Sequence, residues 1–363
     1  MPKLPAIKPV TAGASAQASG VDAREVGVSP GGVLRRLTRA PAFGSVVAVV
    51  VVYVFFAAAS AGKGFVSLTG TASWLDTGSE LGIIAVPVAL LLIAGEFDLS
   101  IGSMVAAGSI TVGVVTSHFG APVWIAVLIA LVIAAAVGLG NGLLVTRTGL
   151  PSFIVTLGAN LILAGLALTI SRTLAGTTTL SVTTSGFWHG FFAAKAGQFY
   201  ISILWWLLLA LAAAWILSRS RFGPWILATG GNADQARRAG VLTARVKVLL
   251  FAGTAVGAAF VGITQAIQFN TADATTGQGY VFQAPIVVVI GGVLLTGGFG
   301  TVSGVVMGTV LYGIISGGLF YTGWDTDLSQ VILGVLMIIA VLANNQLRTL
   351  ALTPVTARKR RQA

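Results

Sequence analysis

Ten apolar runs divide the chain. A bilayer core about 30 Å thick takes about 20 apolar residues of helix at about 1.5 Å each. On that ruler the runs lie at 42–61, 80–95, 99–117, 122–146, 151–172, 199–218, 246–268, 281–297, 301–321 and 327–345. The pattern predicts an all-α, polytopic transmembrane helical bundle of about ten spans. Two separations are short, one within 80–117 and one within 281–321, so each stretch reads either as two crossings or as one broken helix. Residues 1–41 are rich in Ala, Gly, Ser and Pro without apolar periodicity, which predicts a disordered basic tail. The first run ends in Ala57-Ala58-Ala59-Ser60, which imitates a signal-peptidase site. It is longer than the roughly 7–15 residues of a signal-peptide core and starts about forty residues in, so a retained span is expected. The predicted organisation is a transmembrane domain over 42–346, a cytoplasmic loop over 219–247 inside it, and a basic tail over 347–363.

Composition agrees with hydrocarbon as the main solvent. Only 9% of the residues are charged and 56% are hydrophobic, whereas a soluble domain carries about 25% charged residues. The net charge of +11 does not point to nucleic acid, because the basic residues form short clusters between apolar runs rather than a basic face. With ten crossings and the N-terminus inside, 18 of the 21 basic residues fall on the inner side, leaving Lys63, Arg172 and Lys195 outside. Lys/Arg bias sets orientation, so both termini are expected in the cytoplasm. The chain has no cysteine, which excludes disulfides, thiol catalysis and cysteine metal sites. His118 and His189 are expected as solvated residues of outer loops. Paired small residues, Gly138/Gly142, Gly253/Gly257, Gly304/Gly308 and Gly313/Gly317, predict close helix packing.

Two polar segments interrupt the pattern. Gly95-Glu96-Phe97-Asp98-Leu99-Ser100-Ile101-Gly102-Ser103 places two carboxylates beside spans, where ionisable groups are costly and mark function. Asp98 or Ser100 is expected to cap the following helix; direct substrate contact is the competing role, and the two are compatible where transporters break their helices. Gly230 to Gly240 reads as a short cytoplasmic helix. Asn232 caps its start, Asp234 suits the positive end of its dipole, Arg237 and Arg238 suit the other end, and Gly240 stops it. It is either a docking element for a cytoplasmic partner or a helix lying on anionic lipid. The outer loop Ala175 to Gln198 is expected as an interfacial re-entrant segment, and Asp325–Asp327 as a solvated loop. On the spans, Asn141, Asn160, Gln265 and Gln268 are candidates for contact with a polar solute in a pathway, with interhelical hydrogen bonding as the alternative for each. No phosphate-binding G-x-x-x-x-G-K-[ST] loop, metal-ligand cluster or nucleophile–base pair is legible. No catalytic role and no cofactor are therefore expected.

The segment GEFDLSIGS resembles the G-G-x-D-L-S-x-G-S signature of ribose-type sugar permeases of ATP-binding-cassette (ABC) importers. Asn141–Ile162, Gly223–Val241 and Ala284–Gly304 are similar to further blocks of that family, in the same order. The resemblance implies about ten helices and pairing with a second permease copy. It also implies an ABC-type ATPase on the cytoplasmic side and an extracytoplasmic binding protein that delivers a sugar or polyol. The location it implies is the bacterial cytoplasmic membrane. By carry-over, Gly231, Asn232, Ala236 and Gly240 match the coupling-helix pattern, and Asp98, Leu99 and Ser100 match the signature. Glu96 stands where that family has glycine, and Ala233 where proline is common. A secondary active transporter, an amino-acid-type ABC permease and a membrane-embedded enzyme are the competing readings; an ion-coupled transporter needs ionisable residues within its spans.

Overall fold

The computed structural model describes residues 43–352, with side chains described over 44–342. The predicted tail over 1–41 and the end of the chain from 353 lie outside the described residues. All ten apolar runs form helices. They are α1 (Phe43–Ala59), α2 (Leu68–Ile93), α3 (Ile101–Gly113), α4 (Val123–Thr148), α5 (Ser152–Ala175), α7 (Ser202–Arg219), α10 (Thr243–Gln268), α11 (Tyr280–Ile290), α12 (Val302–Thr322) and α13 (Leu328–Leu352). A π-helical turn, Val114–His118, extends α3. Seven helices, α2, α3 with its extension, α4, α5, α7, α10 and α12, are long and apolar enough to cross a bilayer. The chain is a polytopic helical bundle.

Two boundaries differ from the expectation for physical reasons. Helix α2 begins at Leu68, twelve residues before the predicted start of its run. Thr69 to Glu80 are too polar for a hydropathy ruler, yet Asp76 and Glu80 find partners on α7, α10 and α11 that make helix tolerable there. Helix α11 stops at Ile290 after 11 residues, because Gly291 and Gly292 open an irregular segment that runs to Thr301.

Helix α2 is the axis of the bundle. Its residues from Gly78 to Ile93 are all buried, and α12, α10, α7 and α11 pack around it. Close approach depends on missing side chains. A Cβ on Gly313 would lie 2.2 Å from the Trp74 carbonyl, and one on Gly308 would lie 2.2 Å from that of Val287. Gly138 and Gly142 likewise seat α4 on α10 at Phe251 and Val248. Of the pair Gly253/Gly257 only Gly257 meets a neighbour, Pro87 on α2. Gly253 opens onto an apolar groove of about 570 Å³ between α2, α7 and α10, lined by Leu90, Leu209, Ile216 and Phe260 among others.

Helices α4, α5 and α7 turn large apolar side chains outward, including Leu161 and Leu211 at 67% exposure. Such a surface is stable only against lipid or another apolar partner. The segment after α5 carries β1 (Thr179–Ser181), α6 (Gly186–Ala193) and a short hairpin of β2 (Lys195–Ala196) with β3 (Phe199–Tyr200). Strand β1 pairs antiparallel with β4 (Thr271–Asp273), Leu180 opposite Ala272, tying this loop to the end of α10. His118 is exposed and His189 half-buried.

Candidate functional site

The signature segment is the turn between α2 and α3. Gly95, at φ +85°, makes the reversal possible. Asp98 is 2% exposed and holds both of its oxygens in bonds. Oδ1 accepts from the Ser100 amide at 2.9 Å and from its hydroxyl at 2.5 Å, and Oδ2 accepts from the Thr254 hydroxyl of α10 at 2.5 Å. The expected cap is not made. Ser100 is the N-cap residue of α3, but its side chain bonds none of the helix's first amides. Asp98 instead closes a turn onto Ser100 itself through Oδ1, while Thr254 holds Oδ2.

Asn141 of α4 donates to the Ser100 hydroxyl at 3.1 Å. One turn along α3, Asn160 of α5 accepts from the Ser103 amide at 3.2 Å and hydroxyl at 2.7 Å, and Gln278 donates to the same hydroxyl at 3.3 Å. The peptide N–H groups of Phe97 and Leu99 end on Ser152 and Thr156 of α5. Asp98, Ser100, Asn141 and Asn160 are thus brought into one buried seam across α3, α4, α5 and α10. No buried polar side-chain atom of these four residues lacks a partner.

Gln265 and Gln268 lie elsewhere. They sit at the far end of α10, about 16 and 21 Å along the helix from Thr254 by its rise. Gln265 donates to Glu80 at 2.7 Å and to the Tyr280 hydroxyl at 3.0 Å, and Gln268 donates to Asp76 at 3.0 Å. Ser202, at the start of α7, also donates to Asp76. The segment between β4 and α11 links the two clusters, since Thr276 donates to Gln265 Oε1 at 3.1 Å while Gln278 reaches Ser103. Sequence reasoning found the two glutamines and missed Asp76 and Glu80, which it left at the edge of a span.

The loop over 219–247 forms α8 (Phe222–Gly231) and α9 (Ala233–Arg238). Asn232 accepts from the Gln235 amide at 3.0 Å, Asp234 stands in the first turn, and Arg237 and Arg238 in the last. Gly240 follows at φ +85°. Arg237 pairs with Asp234 at 2.7 Å on an exposed face, and Ala236 is buried. Gly231 ends α8, and a Cβ on Gly230 beside it would lie 1.8 Å from the Ile93 carbonyl and 2.7 Å from the Gly298 nitrogen. The Gly298 amide donates to that same carbonyl at 2.8 Å. The end of α8 therefore touches both interruptions, α2–α3 and α11–α12. Glu96 is held by Lys247 in the first turns of α10 at 2.5 Å, so its charge is neutralised within this junction.

Among the described residues no group of three or more His, Cys, Asp or Glu side chains is placed to hold a metal.

Comparison with known proteins places this architecture. Residues 70–341 match the family model described as a branched-chain amino acid transport system permease component. The chain belongs to that permease family. It is 32% identical over 293 residues to the galactose/methyl galactoside import permease MglC of Escherichia coli K12, spanning 76% of this chain and 86% of that one. It is 28% identical to the ribose import permease RbsC of Escherichia coli K12, over 78% of this chain and 87% of that one. With the fructose import permease FrcC of Rhizobium meliloti the identity is also 28%, over 87% and 88%. No solved structure matches the chain. The expected resemblance to ribose-type sugar ABC permeases is borne out.

Proposed function

We propose that this chain is the membrane-spanning subunit of an ATP-driven bacterial importer, forming the pathway for a sugar or polyol across the cytoplasmic membrane. The observation that carries the reading is its likeness, over most of its length, to import permeases for galactose, ribose and fructose. The family model's own description leaves an amino-acid permease as the second reading. In the proposed assembly an ABC-type ATPase docks on the cytoplasmic side, a binding protein delivers substrate outside, and a second permease copy completes the pathway. Ten crossings with both termini inside fit the charge distribution.

The coupling residues are Gly231, Asn232, Asp234, Ala236, Arg237, Arg238 and Gly240. Support comes from the backbone contacts of α8 with both helix interruptions, since a displacement of α9 passes to them without crossing a flexible side chain. The test uses the reconstituted complex in liposomes. Arg237→Glu with Arg238→Glu reverses charge at the end of α9 and is expected to weaken ATPase docking by about 1–3 kcal/mol. Co-purified ATPase and ATP-driven sugar uptake should both fall while membrane insertion persists. Retention of both at the native level rejects α9 as the coupling element.

A further inference from the structure

The two polar clusters differ in one respect. In the seam around Asp98 no buried polar side-chain atom lacks a partner, whereas the cluster at the start of α2 leaves two unpaired. Asp76 and Glu80 stand one turn apart on a helix with the length and apolarity of a span. Glu80 is 7% exposed. Its Oε2 accepts from Gln265 at 2.7 Å and from Tyr280 at 3.4 Å, while Oε1 is buried with no partner. The Oε1 of Gln268 is likewise buried and unpartnered, its amide nitrogen being spent on Asp76.

Both unpartnered atoms are acceptors. Leaving a buried acceptor unpaired, above all one of a carboxylate, is destabilising, so the complement of this cluster is a set of hydrogen-bond donors. A neutral polyhydroxyl compound supplies several donors at once without adding charge. A carboxylate oxygen and an amide oxygen on adjoining helices suit two of its hydroxyls. Asp76 already has Ser202 and Gln268 to answer it, which leaves Glu80 as the main acceptor.

We infer that Asp76, Glu80, Gln265 and Gln268 form a substrate station, with Glu80 Oε1 and Gln268 Oε1 receiving hydroxyl groups of the transported polyol. The inference rests on the sugar reading above. It is tested with the native complex, its ATPase and its binding protein in liposomes. The probes are D-ribose, D-galactose and D-fructose, then the deoxy analogues of whichever is carried.

Glu80→Gln, nearly equal in shape, is expected to slow uptake about tenfold or more, the scale set by one hydrogen bond to a charged group. For the deoxy analogue lacking the bound hydroxyl the penalty of the substitution should shrink to about twofold or less, since both changes remove the same interaction. Gln268→Met removes the second free acceptor at similar volume and carries the same comparison if Glu80→Gln lowers the yield of complex. An equal penalty for every analogue overturns the inference in favour of a packing role. A native requirement for sodium or a proton gradient that Glu80→Gln abolishes also overturns it, in favour of ion coupling. If the native complex carries neither these three nor any other sugar or polyol, the sugar reading itself fails, and that failure is seen before any variant is made.

Discussion

At Asp98 one carboxylate organises three donors from two segments. The Ser100 amide and hydroxyl fix the turn into α3, and the Thr254 hydroxyl fixes that turn to α10. Each buried group left unpaired costs about 1–3 kcal/mol. Asp98→Ala strands these donors and opens a small void, so a loss of about 2–4 kcal/mol is expected, read as a lower midpoint of thermal unfolding in detergent. Asp98→Asn keeps the shape and one acceptor oxygen, and the Thr254 hydroxyl already reaches the Phe251 carbonyl as an alternative acceptor. Its midpoint should lie nearer the native one than that of Asp98→Ala. Equal loss in both would mean that the charge, rather than the bonding, holds the turn. The importance of Asp98 was legible because a carboxylate between apolar runs is conspicuous. That of Asp76 and Glu80 was not, because Thr69 to Glu80 lower the local hydropathy, and only pairing with residues almost two hundred positions away explains helix there.

At the scale of elements, three irregular segments meet on backbone atoms. Gly297 approaches Gly95, Gly298 approaches Gly231, and Gly230 lies on the Ile93 carbonyl. The two interruptions and the end of α8 are therefore joined where side chains are absent. Neighbouring glycines give a controlled comparison. A methyl group on Gly230 meets backbone at 1.8 Å, whereas one on Gly231 meets nothing within 4 Å. Gly230→Ala is expected to cost about 1–3 kcal/mol through overpacking and to lower folded yield, with Gly231→Ala close to native in folded yield. Similar behaviour of the two variants would show that the junction is loose. The small helix α9 was legible residue by residue, since Asn232, Asp234, Arg237, Arg238 and Gly240 each act locally. The convergence of Gly95, Gly230 and Gly298 was not, because spacing along a chain carries no information about which loops meet.

For the whole molecule the open quantity is how many helices cross. Among the described residues seven qualify by length and apolarity, and the clearest exception is α11, whose 11 residues rise only about 16 Å. Helices α11 and α12 together, with the irregular segment between them, make either two crossings or one broken one. The chain has no cysteine of its own, so single cysteines report accessibility cleanly. Gln235 in α9 and Thr326 after α12 are both exposed, and between them lie α10, α11 and α12. Three crossings put the two positions on opposite faces of the membrane; two put them on the same face. The basic residues Arg219, Arg221, Arg237, Arg238, Arg245 and Lys247 surround Gln235, whereas Asp325 and Asp327 flank Thr326. The Lys/Arg bias therefore places Gln235 inside and Thr326 outside. With an impermeant thiol reagent on intact cells, Thr326→Cys is expected to react and Gln235→Cys only after permeabilisation. Protection of both in intact cells would make α11 a half-crossing and give a topology of fewer than ten spans, with the charge bias carried by the other loops.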